Sequence, residues 1–255
     1  MKKIITVLCL ILVFSLSIWI IASAKESSSS FSWYCIRAKN NARPPLPSEF
    51  SFIKDLDGYY IGSDEKVVYL TFDAGYENGN VEKTLDILKD HDVSGAFFIL
   101  SNLISKNPDL IVRMANEGHL ICNHTSKHPD MTKIQDQTCF ERELEALEEL
   151  CYEKTGKEVS KFFRPPEGKF NRQTLEWAKT LGYKTIFWSF AYADWDNNNQ
   201  MSEEAAKEKI LSNIHHGAII LLHPTSDTNA KILGQIITEL KADGYRFGTL
   251  DELVA

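Results

Sequence analysis

From Val67 to the C-terminus, short apolar runs alternate with longer stretches that have the apolar spacing of helices. The apolar runs of strand length cover 67–72, 96–100, 120–122, 162–164, 184–187, 218–222 and, more weakly, 246–247. The helical stretches cover 81–90, 108–117, 137–154, 171–181, 203–215 and 228–242. Such alternation predicts a parallel sheet, either doubly wound or closed into a barrel. About seven strands favour a barrel, somewhat short of the usual eight.

Residues 1–24 have the pattern of an export signal. Lys2 and Lys3 precede an apolar run over 4–22, and Ala22-Ser23-Ala24 fits the small residues of a cleavage site. The apolar run is also nearly long enough to span a bilayer, so membrane attachment through an uncleaved anchor is the alternative. Under either interpretation, the rest of the chain is predicted to be exported.

Two segments lie between the export signal and the first long strand. Residues 25–49 carry a serine run and a proline-rich stretch, which cannot supply a core, and they are predicted to form a flexible tether. Residues 50–66 carry aromatic side chains separated by turn residues, which predicts a short hairpin. The globular domain is therefore expected to cover residues 50–255.

Charge and cysteine content exclude some classes of function. The 255 residues carry 28 Lys and Arg against 35 Asp and Glu, a net charge of −7. This balance argues against nucleic acid as the partner, because phosphate binding is driven by basic patches. A zinc site of thiolates requires cysteines that are close together in the sequence. The cysteines after the export signal contain no such pair; they are Cys35, Cys122, Cys139 and Cys151. No feature of the sequence implies an oligomer.

Residues with useful chemistry follow the predicted strands, whose carboxyl ends meet at one face of a barrel. Asp73 follows the first strand, where it is either a catalytic carboxylate or an ordinary loop residue. His124 and His128 follow the third strand, and their spacing suits a divalent ion if the segment turns helical. Arg164 ends the fourth strand, where a guanidinium can hold a carboxylate by a two-pronged hydrogen bond.

The later strands end in aromatic residues and a further histidine. Trp188, Tyr192 and Trp195 follow the strand 184–187, and they suit stacking against sugar rings, although aromatic residues are more often buried. His223 follows the last strong strand, where a rigidly held imidazole is a good proton donor. Because five strands each deliver such a residue to the same end, we expect one active site there.

At these residues the chain resembles the NodB-homology polysaccharide deacetylases, carbohydrate esterase family four, over roughly residues 65–250. The motifs of that family occur here in the same order, as Thr71-Phe72-Asp73-Ala74-Gly75, His124-Thr125-Ser126-Lys127-His128, Arg164-Pro165-Pro166-Glu167-Gly168, Asp194-Trp195 and Leu221-Leu222-His223. The resemblance implies a distorted, incomplete (β/α) barrel of about seven parallel strands. It also implies a hydrolase that removes N-acetyl groups from a polysaccharide, which is cleavage of a linear amide rather than a peptide bond.

The resemblance further implies roles for individual residues. Asp73 would be the general base that deprotonates the attacking water, and Arg164 would orient it. His223 would be the general acid that protonates the leaving amine, and Asp194 would orient that imidazole. The remaining motif residues would contact the substrate, Glu167 through its backbone N–H in place of the usual tyrosine, and Trp195 and Leu221 as walls around the acetyl group.

The resemblance implies a divalent metal cofactor, zinc or another transition metal, bound by His124 and His128. The family usually has a second aspartate after the base, which completes the metal site, and here that position is Ala74. Two neutral imidazoles alone form a weaker site than two imidazoles and a carboxylate. Water and substrate could fill the other positions, the ion could be held loosely, or Asp73 could lean toward it.

Loss of the second aspartate, with Gly75-Tyr76-Glu77-Asn78-Gly79 after the base, resembles the muramic-acid δ-lactam deacetylases of spore cortex. This likeness implies that Tyr76 contacts the substrate and that the partner is a peptidoglycan glycan strand. The reaction would remove the N-acetyl group from muramic acid that lacks its peptide, so that the amine can close on the lactyl carboxylate. The enzyme would act in the cell wall or at the outer face of the membrane, including the forespore cortex.

Two other functions are compatible with the sequence. The first is a deacetylase that acts on N-acetylglucosamine in peptidoglycan or in chitin-like oligosaccharides. The second is a glycan-binding protein that has lost catalysis together with the second aspartate. The second is disfavoured because the sequence keeps both a candidate base, Asp73, and a candidate acid, His223, which binding alone does not require.

Overall fold

Residues 29–38 and 40–255 are described by a computed structural model. The predicted export signal lies outside these residues, as do the first residues of the predicted tether. Within the described ranges, no helix is long and apolar enough to cross a membrane. The cysteines of these ranges, Cys35, Cys122, Cys139 and Cys151, form no disulfide with one another.

The strands, in chain order, are β1 Phe31–Ser32, β2 Gly58–Tyr59, β3 Val67–Ala74, β4 Ala96–Ile99, β5 Leu120–Asn123, β6 Ser160–Phe163, β7 Lys169–Phe170, β8 Lys184–Ile186, β9 Ala218–Leu222 and β10 Arg246–Phe247. The α-helices are α1 Asn80–Asp90, α2 Ser101–Lys106, α3 Pro108–Asn116, α4 Gln137–Thr155, α5 Arg172–Thr180, α6 Glu203–Leu211, α7 Asp227–Ala242 and α8 Leu250–Leu253. Short 3₁₀ helices cover Ser48–Leu56, Met131–Lys133 and Pro166–Gly168. All the predicted long strands and helices are therefore present, and the short helices α2 and α8 were not predicted.

The main sheet is parallel and curled, which confirms the predicted distorted, incomplete (β/α) barrel. Strands β2, β8, β6, β5, β4 and β3 follow one another side by side, and both β9 and β10 pair with β3. The gap between β8 and β9 is bridged irregularly, because the Ser189 N–H donates to the Ile219 carbonyl at 3.0 Å. Phe190 also forms a parallel bridge to Ile220 there. The predicted strands are those of this sheet, with β2 added at its edge.

Strand β3 shows how the core positions a polar site. Successive side chains of a strand point to opposite faces, and Val68 of β3 packs in the large apolar cluster shared with the outer helices. On the other face, Val67 and Tyr69 lie in the apolar cluster that fills the barrel. That inner face then becomes polar toward the carboxyl end, with Thr71 and Asp73. The apolar part of the strand fixes the polar end in place.

The N-terminal segment differs from its prediction as a flexible tether over residues 25–49. Within its described part, β1 pairs antiparallel with β7, through Phe31 and Phe170. Trp33 is only 5% exposed and packs in an aromatic cluster with Phe50, Phe170 and Phe187. The serine and proline content suggested a linker, but the aromatic residues within it bury enough apolar surface to hold the segment on the domain.

The predicted hairpin over residues 50–66 is wrong. The segment begins in the 3₁₀ helix Ser48–Leu56, and β2 then pairs in parallel with β8 rather than antiparallel with a neighbour in sequence. Phe50 and Ile53 are both buried, and residues three apart share one side of a 3₁₀ helix. The aromatic spacing therefore reflected a helical face, not two short strands.

Candidate active site

The carboxyl ends of the parallel strands surround a cleft of about 620 Å³. This is the face at which parallel barrels collect their chemistry. The cleft is lined by Asp73, His124, His128, Glu167, Gly168, Trp188, Ala191, Tyr192, Trp195, Leu221 and His223. Most of the predicted site residues thus meet here, although they are far apart in the sequence.

Asp73 is held by a buried arginine at the end of β3. Arg164 Nη1 lies 2.7 Å from Asp73 Oδ1, and the arginine side chain is fully buried. The other guanidinium nitrogens are also occupied, since Nη2 donates to Thr71 Oγ1 at 2.9 Å and Nε donates to the Ile186 carbonyl at 3.0 Å. The guanidinium also lies 4.1 Å from the centroid of the Phe98 ring. Arg164 is therefore rigid, and Asp73 is fixed with it.

The surroundings of Asp73 keep its carboxylate ionised. Burial acts to raise the pKa of Asp73, but the charge of Arg164 and smaller contributions from His124 and His223 outweigh burial, and the pKa lies below its usual value. The group is therefore an anion over the whole neutral range. An anion with Oδ1 bound by Arg164 keeps Oδ2 available to accept a proton.

His124 and His128 meet, but not on a helix as predicted. Thr125 and His128 have φ values of 73° and 60°, so the segment after β5 is a tight turn with left-handed residues. The Thr125 N–H donates to Asn123 Oδ1, and the His128 N–H donates to Thr125 Oγ1, both at 2.9 Å. The two imidazole centroids lie 4.9 Å apart, with the rings at 73° to one another. Asn123 and Thr125 are thus residues that shape the site, which spacing alone did not indicate.

His124 is poised to donate a lone pair. Its Nδ1–H donates to the Arg164 carbonyl at 2.8 Å, which leaves Nε2 as the open nitrogen. Burial, partly opposed by Asp73, lowers the pKa of His124 to about 4, so the ring is neutral. His124 Nε2 and Asp73 Oδ2 lie 3.5 Å apart, and because both atoms are hydrogen-bond acceptors, no hydrogen bond joins them. A cation or a water molecule beside these two atoms would stabilise that arrangement.

The donor set fits a divalent ion only in part. The rings of His124 and His128 lie 4.9 Å apart, and Asp73 Oδ2 lies 3.5 Å from His124 Nε2. Imidazole nitrogens and carboxylate oxygens are ligands that transition metals prefer. Among residues 29–38 and 40–255, no three or more His, Cys, Asp or Glu side chains are grouped so that they alone could hold a metal ion. Ala74 is fully buried and offers no donor. The residues present therefore fit an ion whose other positions are taken by water and substrate.

On the opposite side of the cleft, His223 is bound to Asp194. The His223 Nδ1–H donates to Asp194 Oδ1 at 2.7 Å, and the His223 backbone N–H donates to Oδ2 at 2.8 Å. Asp194 is 1% exposed. The imidazole is therefore held at two points, and Nε2 is the nitrogen that can exchange a proton with a substrate.

The pKa of His223 lies above its usual value. Burial acts to lower it, but the hydrogen bond and the charge of Asp194, together with the charge of Asp73, outweigh burial. The imidazole is therefore protonated to a higher pH than a free histidine. A protonated imidazole close to neutral pH is a competent general acid.

Asn229, which lies behind Asp194, was not predicted as part of the site, and Tyr192, which was predicted to stack against a sugar, is hydrogen-bonded to it. Asn229 Nδ2 donates to Asp194 Oδ2 at 2.6 Å and to the His223 carbonyl at 3.3 Å. The Tyr192 hydroxyl donates to Asn229 Oδ1. Asn229 lies in the first turn of α7, where an asparagine is ordinary, so nothing in the sequence marked it as a neighbour of the Asp194–His223 pair.

Glu167 lines the cleft in a left-handed conformation, with φ 56° and ψ 14°. Its carboxylate is 60% exposed and binds Lys169 Nζ at 2.6 Å. Hydrogen bonding to Lys169 holds the pKa of Glu167 below its usual value, although burial opposes this slightly. Because the side chain is engaged with Lys169, the backbone of Glu167 is the part available to a bound group.

Apolar and aromatic side chains form the remaining walls. Trp195 is 59% exposed, and its ring centroid lies 6.0 Å from that of His223, whereas Leu221, which also lines the cleft, is buried. Tyr76 does not line the cleft itself. Its hydroxyl accepts a hydrogen bond from Asn197 Nδ2 at 2.8 Å, and its side chain is 43% exposed. Tyr76 therefore contacts the same loop as Trp195, but outside the cleft.

Taken together, the cleft presents a carboxylate whose pKa is lowered and an imidazole whose pKa is raised, each fixed by a buried partner. Such a pair can remove a proton from water and supply one to a leaving group. The buried, rigid supports limit reorganisation during the reaction. The arrangement suits hydrolysis of an acyl group carried by a molecule that enters from solvent.

Comparisons with known proteins agree with this chemistry. Residues 61–186 match the polysaccharide deacetylase family. The chain is 43% identical over 225 residues to the peptidoglycan-N-acetylmuramic acid deacetylase PdaA of Bacillus subtilis, with 87% of this chain and 85% of that protein covered. It is 33% identical over 209 residues to a peptidoglycan-N-acetylglucosamine deacetylase of Bacillus cereus, with 80% and 74% covered. The structure of B. subtilis PdaA, a family 4 carbohydrate esterase, matches with a TM-score of 0.85 at 41% identity, covering 89% of this chain and 97% of that one.

Proposed function

The chain belongs to the polysaccharide deacetylase family, as its motifs predict, and we propose that it removes the N-acetyl group from muramic acid in peptidoglycan that lacks its peptide. As a member of this family it is a hydrolase of linear amide bonds. The observation that carries the proposal is the placement of Asp73, bound by Arg164, and His223, bound by Asp194, along one cleft. The likeness to a muramic acid deacetylase supports the choice of sugar.

The first step is attack by water on the acetyl carbonyl. Asp73 takes one proton from the water through Oδ2, while Arg164 holds Oδ1 and the side-chain orientation. The water oxygen forms a bond to the carbonyl carbon, and the carbonyl π pair moves onto its oxygen. The product of this step is a tetrahedral intermediate with one negative oxygen and a neutral carboxylic acid at Asp73.

The negative oxygen of the intermediate needs a fixed donor. The backbone N–H of Glu167 is the candidate, because the residue lines the cleft and its side chain is held away by Lys169. A fixed donor of this kind contributes about 2.7–4 kcal/mol to transition-state stabilisation. Pro165 and Pro166, which precede it, have no N–H and cannot share this role.

The second step releases the amine. His223 transfers its proton to the sugar nitrogen as the carbon–nitrogen bond breaks, and the electron pair on the negative oxygen re-forms the carbonyl. The product leaves as acetic acid and ionises to acetate in solution. Asp73 then loses its proton to solvent, His223 takes one up from solvent, and Asp194 stabilises the imidazole through both protonation states. The freed amine on muramic acid can then close on its own lactyl carboxyl group with loss of water, which forms the δ-lactam.

His124 and His128 are the residues that would hold a divalent ion, zinc or another transition metal, with Asp73 Oδ2 close by. Such an ion would supply a Lewis acid that polarises a carbonyl and acidifies water. The lack of a donor at Ala74 leads us to propose a weaker site than one with a second carboxylate. Because a weakly bound ion can be removed and added back, binding of the ion and turnover can be measured separately.

The place of action follows from the substrate and from residues 1–24. We propose that the enzyme acts outside the cytoplasmic membrane, either in the cell wall or at the outer face of that membrane. In a spore former this includes the forespore cortex. An N-terminal signal or anchor over 4–22 is consistent with both locations. Trp195 and Leu221, which line the cleft, would contact the glycan strand, as would Tyr76, which lies outside the cleft and contacts the Trp195 loop.

The test is mass spectrometry of peptidoglycan treated with the protein, with and without prior removal of the peptide stems. We expect loss of one acetyl group from muramic acid in the peptide-free material only, and none with Asp73→Asn. Loss of acetyl from N-acetylglucosamine instead would support the glucosamine deacetylase. Binding of the glycan with no acetate release, across several divalent metals, would contradict the enzymatic proposal.

A further inference from the structure

The N-terminal segment reaches two walls of the cleft through a single residue. The Trp33 backbone N–H donates to the Gly168 carbonyl at 2.8 Å, and its indole Nε1–H donates to the Trp188 carbonyl at 2.9 Å. Gly168 and Trp188 both line the cleft. They come from separate parts of the chain, the loop after β6 and the segment after β8. Trp33 therefore ties the main chains of two cleft walls together.

The packing around Trp33 leaves little freedom for these walls. The indole stacks on Phe187, with ring centroids 4.4 Å apart at 20°, and on Phe50 at 5.3 Å and 29°. Gly168 has φ +65°, and a Cβ there would lie 3.0 Å from Trp33 Cβ and 2.8 Å from the Trp188 ring. A side chain at position 168 would therefore force the two walls and Trp33 apart.

The two walls carry groups that the proposed reaction uses. The Phe187 carbonyl, next to Trp188, accepts a hydrogen bond from Arg164 Nη2 at 3.3 Å. Gly168 directly follows Glu167, whose N–H is the candidate oxyanion donor. A shift of either wall would thus move the support of Arg164 or the Glu167 backbone.

We propose that Trp33 is a positioning residue of the active site, which fixes the Glu167–Gly168 turn and the Phe187–Trp188 segment relative to each other. This inference rests on the proposed function, since it assigns Trp33 to the same reaction. It gives the N-terminal segment a role in catalysis, although no residue of β1 or Trp33 lines the cleft. A displacement of about 1 Å at a reacting centre can cost up to about 100-fold in rate.

The first test compares Trp33→Phe and Trp33→Ala with the wild type on peptide-free peptidoglycan. Phenylalanine keeps the ring stack and the backbone N–H but loses the indole donor, so we expect kcat to fall about tenfold with KM within about twofold. Alanine also loses the stack, and we expect a fall of about 100-fold. The matched control is Trp177→Phe, since Trp177 packs against Phe140, 5.6 Å between centroids, and does not line the cleft. Its kcat should stay at the wild-type value.

A kcat within about twofold of wild type in Trp33→Phe, with only the unfolding midpoint lowered, would overturn the proposal. The second test needs no activity and follows amide hydrogen exchange by mass spectrometry. Trp33→Phe should speed exchange selectively over 165–170 and 186–191, and Trp177→Phe should not. Exchange that is unchanged, or faster throughout the chain, would contradict a positioning role. If the wild type released no acetate, the proposed function would fail, and hydrogen exchange would still decide the role of Trp33.

Discussion

The cleft contains two buried aspartates whose partners differ, and that difference assigns their tasks. Asp73 binds the guanidinium of Arg164, a planar cation that holds a carboxylate through directed hydrogen bonds. Asp194 binds the imidazole of His223, which can lose its proton near neutral pH. The first pair therefore fixes a negative charge, and the second pair holds a proton that can be transferred.

The comparison shows that the residue type alone does not determine the role of a carboxylate. Asp194 is bonded on both oxygens, by His223 and by Asn229, so it has no oxygen left to act as a base. Asp73 has one oxygen bound by Arg164, and its other oxygen faces His124. The number of carboxylate oxygens left without a partner, together with the identity of the partner, distinguishes the proposed base from the proposed orienting residue.

The largest expected effect comes from Asp73→Asn. It removes the base and leaves the buried charge of Arg164 unpaired, so we expect acetate release to fall by about 100- to 10,000-fold and the unfolding midpoint to fall as well. The matched control is Asp86→Asn, which breaks a surface pair with Arg113 at 2.6 Å. That control should change neither quantity appreciably, because exposed pairs contribute little. Activity of Asp73→Asn close to wild type would remove Asp73 from the mechanism.

The next largest effect is expected for His223→Gln, which keeps a polar side chain but removes the acid. Amide hydrolysis should fall about 100-fold, because an amine leaves poorly without a proton. The control is His216→Gln, since His216 forms a similar imidazole–carboxylate pair with Asp64, 3.1 Å apart, on the surface. Equal losses in the two variants, measured as acetate release, would show that His223 has no special role.

A smaller effect, visible mainly in the pH profile, is expected for Asp194→Asn. Burial lowers the pKa of His223 and Asp194 raises it, so removal of the carboxylate lets that pKa fall. The imidazole then loses its proton at a lower pH, and the alkaline limb of the kcat–pH profile should move to lower pH. Asp64→Asn is the control. An alkaline limb that stays in place would show that Asp194 does not tune the acid.

The smallest effect is expected from removal of divalent ions with a chelator. Because the ligand set contains two imidazoles without a donor at position 74, we expect kcat to fall by less than about tenfold. The alkaline limb should not move, since it belongs to the His223–Asp194 pair on the other side of the cleft. Readdition of zinc should restore the rate in the wild type but not in His128→Ala. A shift of the alkaline limb on chelation would show that the ion affects the His223–Asp194 pair, and it would contradict the assignment of that limb to the pair alone.

The sequence predicted the sheet and most of the site because both follow from local pattern. The apolar run 67–72 and the carboxylate after it identify a buried strand and its reactive end without any knowledge of neighbours. The same holds for His223 after 218–222. Topology then brings these ends together, since parallel strands share one face.

What the sequence did not predict depends on contacts between distant segments. Trp33 stands in a serine- and proline-rich stretch, and only its packing on Phe187, more than 150 positions away, shows that the segment is ordered. Asn229 is likewise an ordinary residue of a helix start until the structure places it against Asp194. The turn at Thr125 depends on hydrogen bonds that residue spacing does not encode.

The division of labour between Asp73 and His223 can be tested by changing the leaving group. Acetate release should be measured for wild type, Asp73→Asn and His223→Gln on the glycan amide and on 4-nitrophenyl acetate, whose phenolate leaves without a proton. We predict that His223→Gln loses the amide reaction but retains most of the ester reaction, because only the amine needs an acid. Asp73→Asn should lose both. Equal losses on both substrates in His223→Gln, or an active ester reaction in Asp73→Asn, would contradict this assignment.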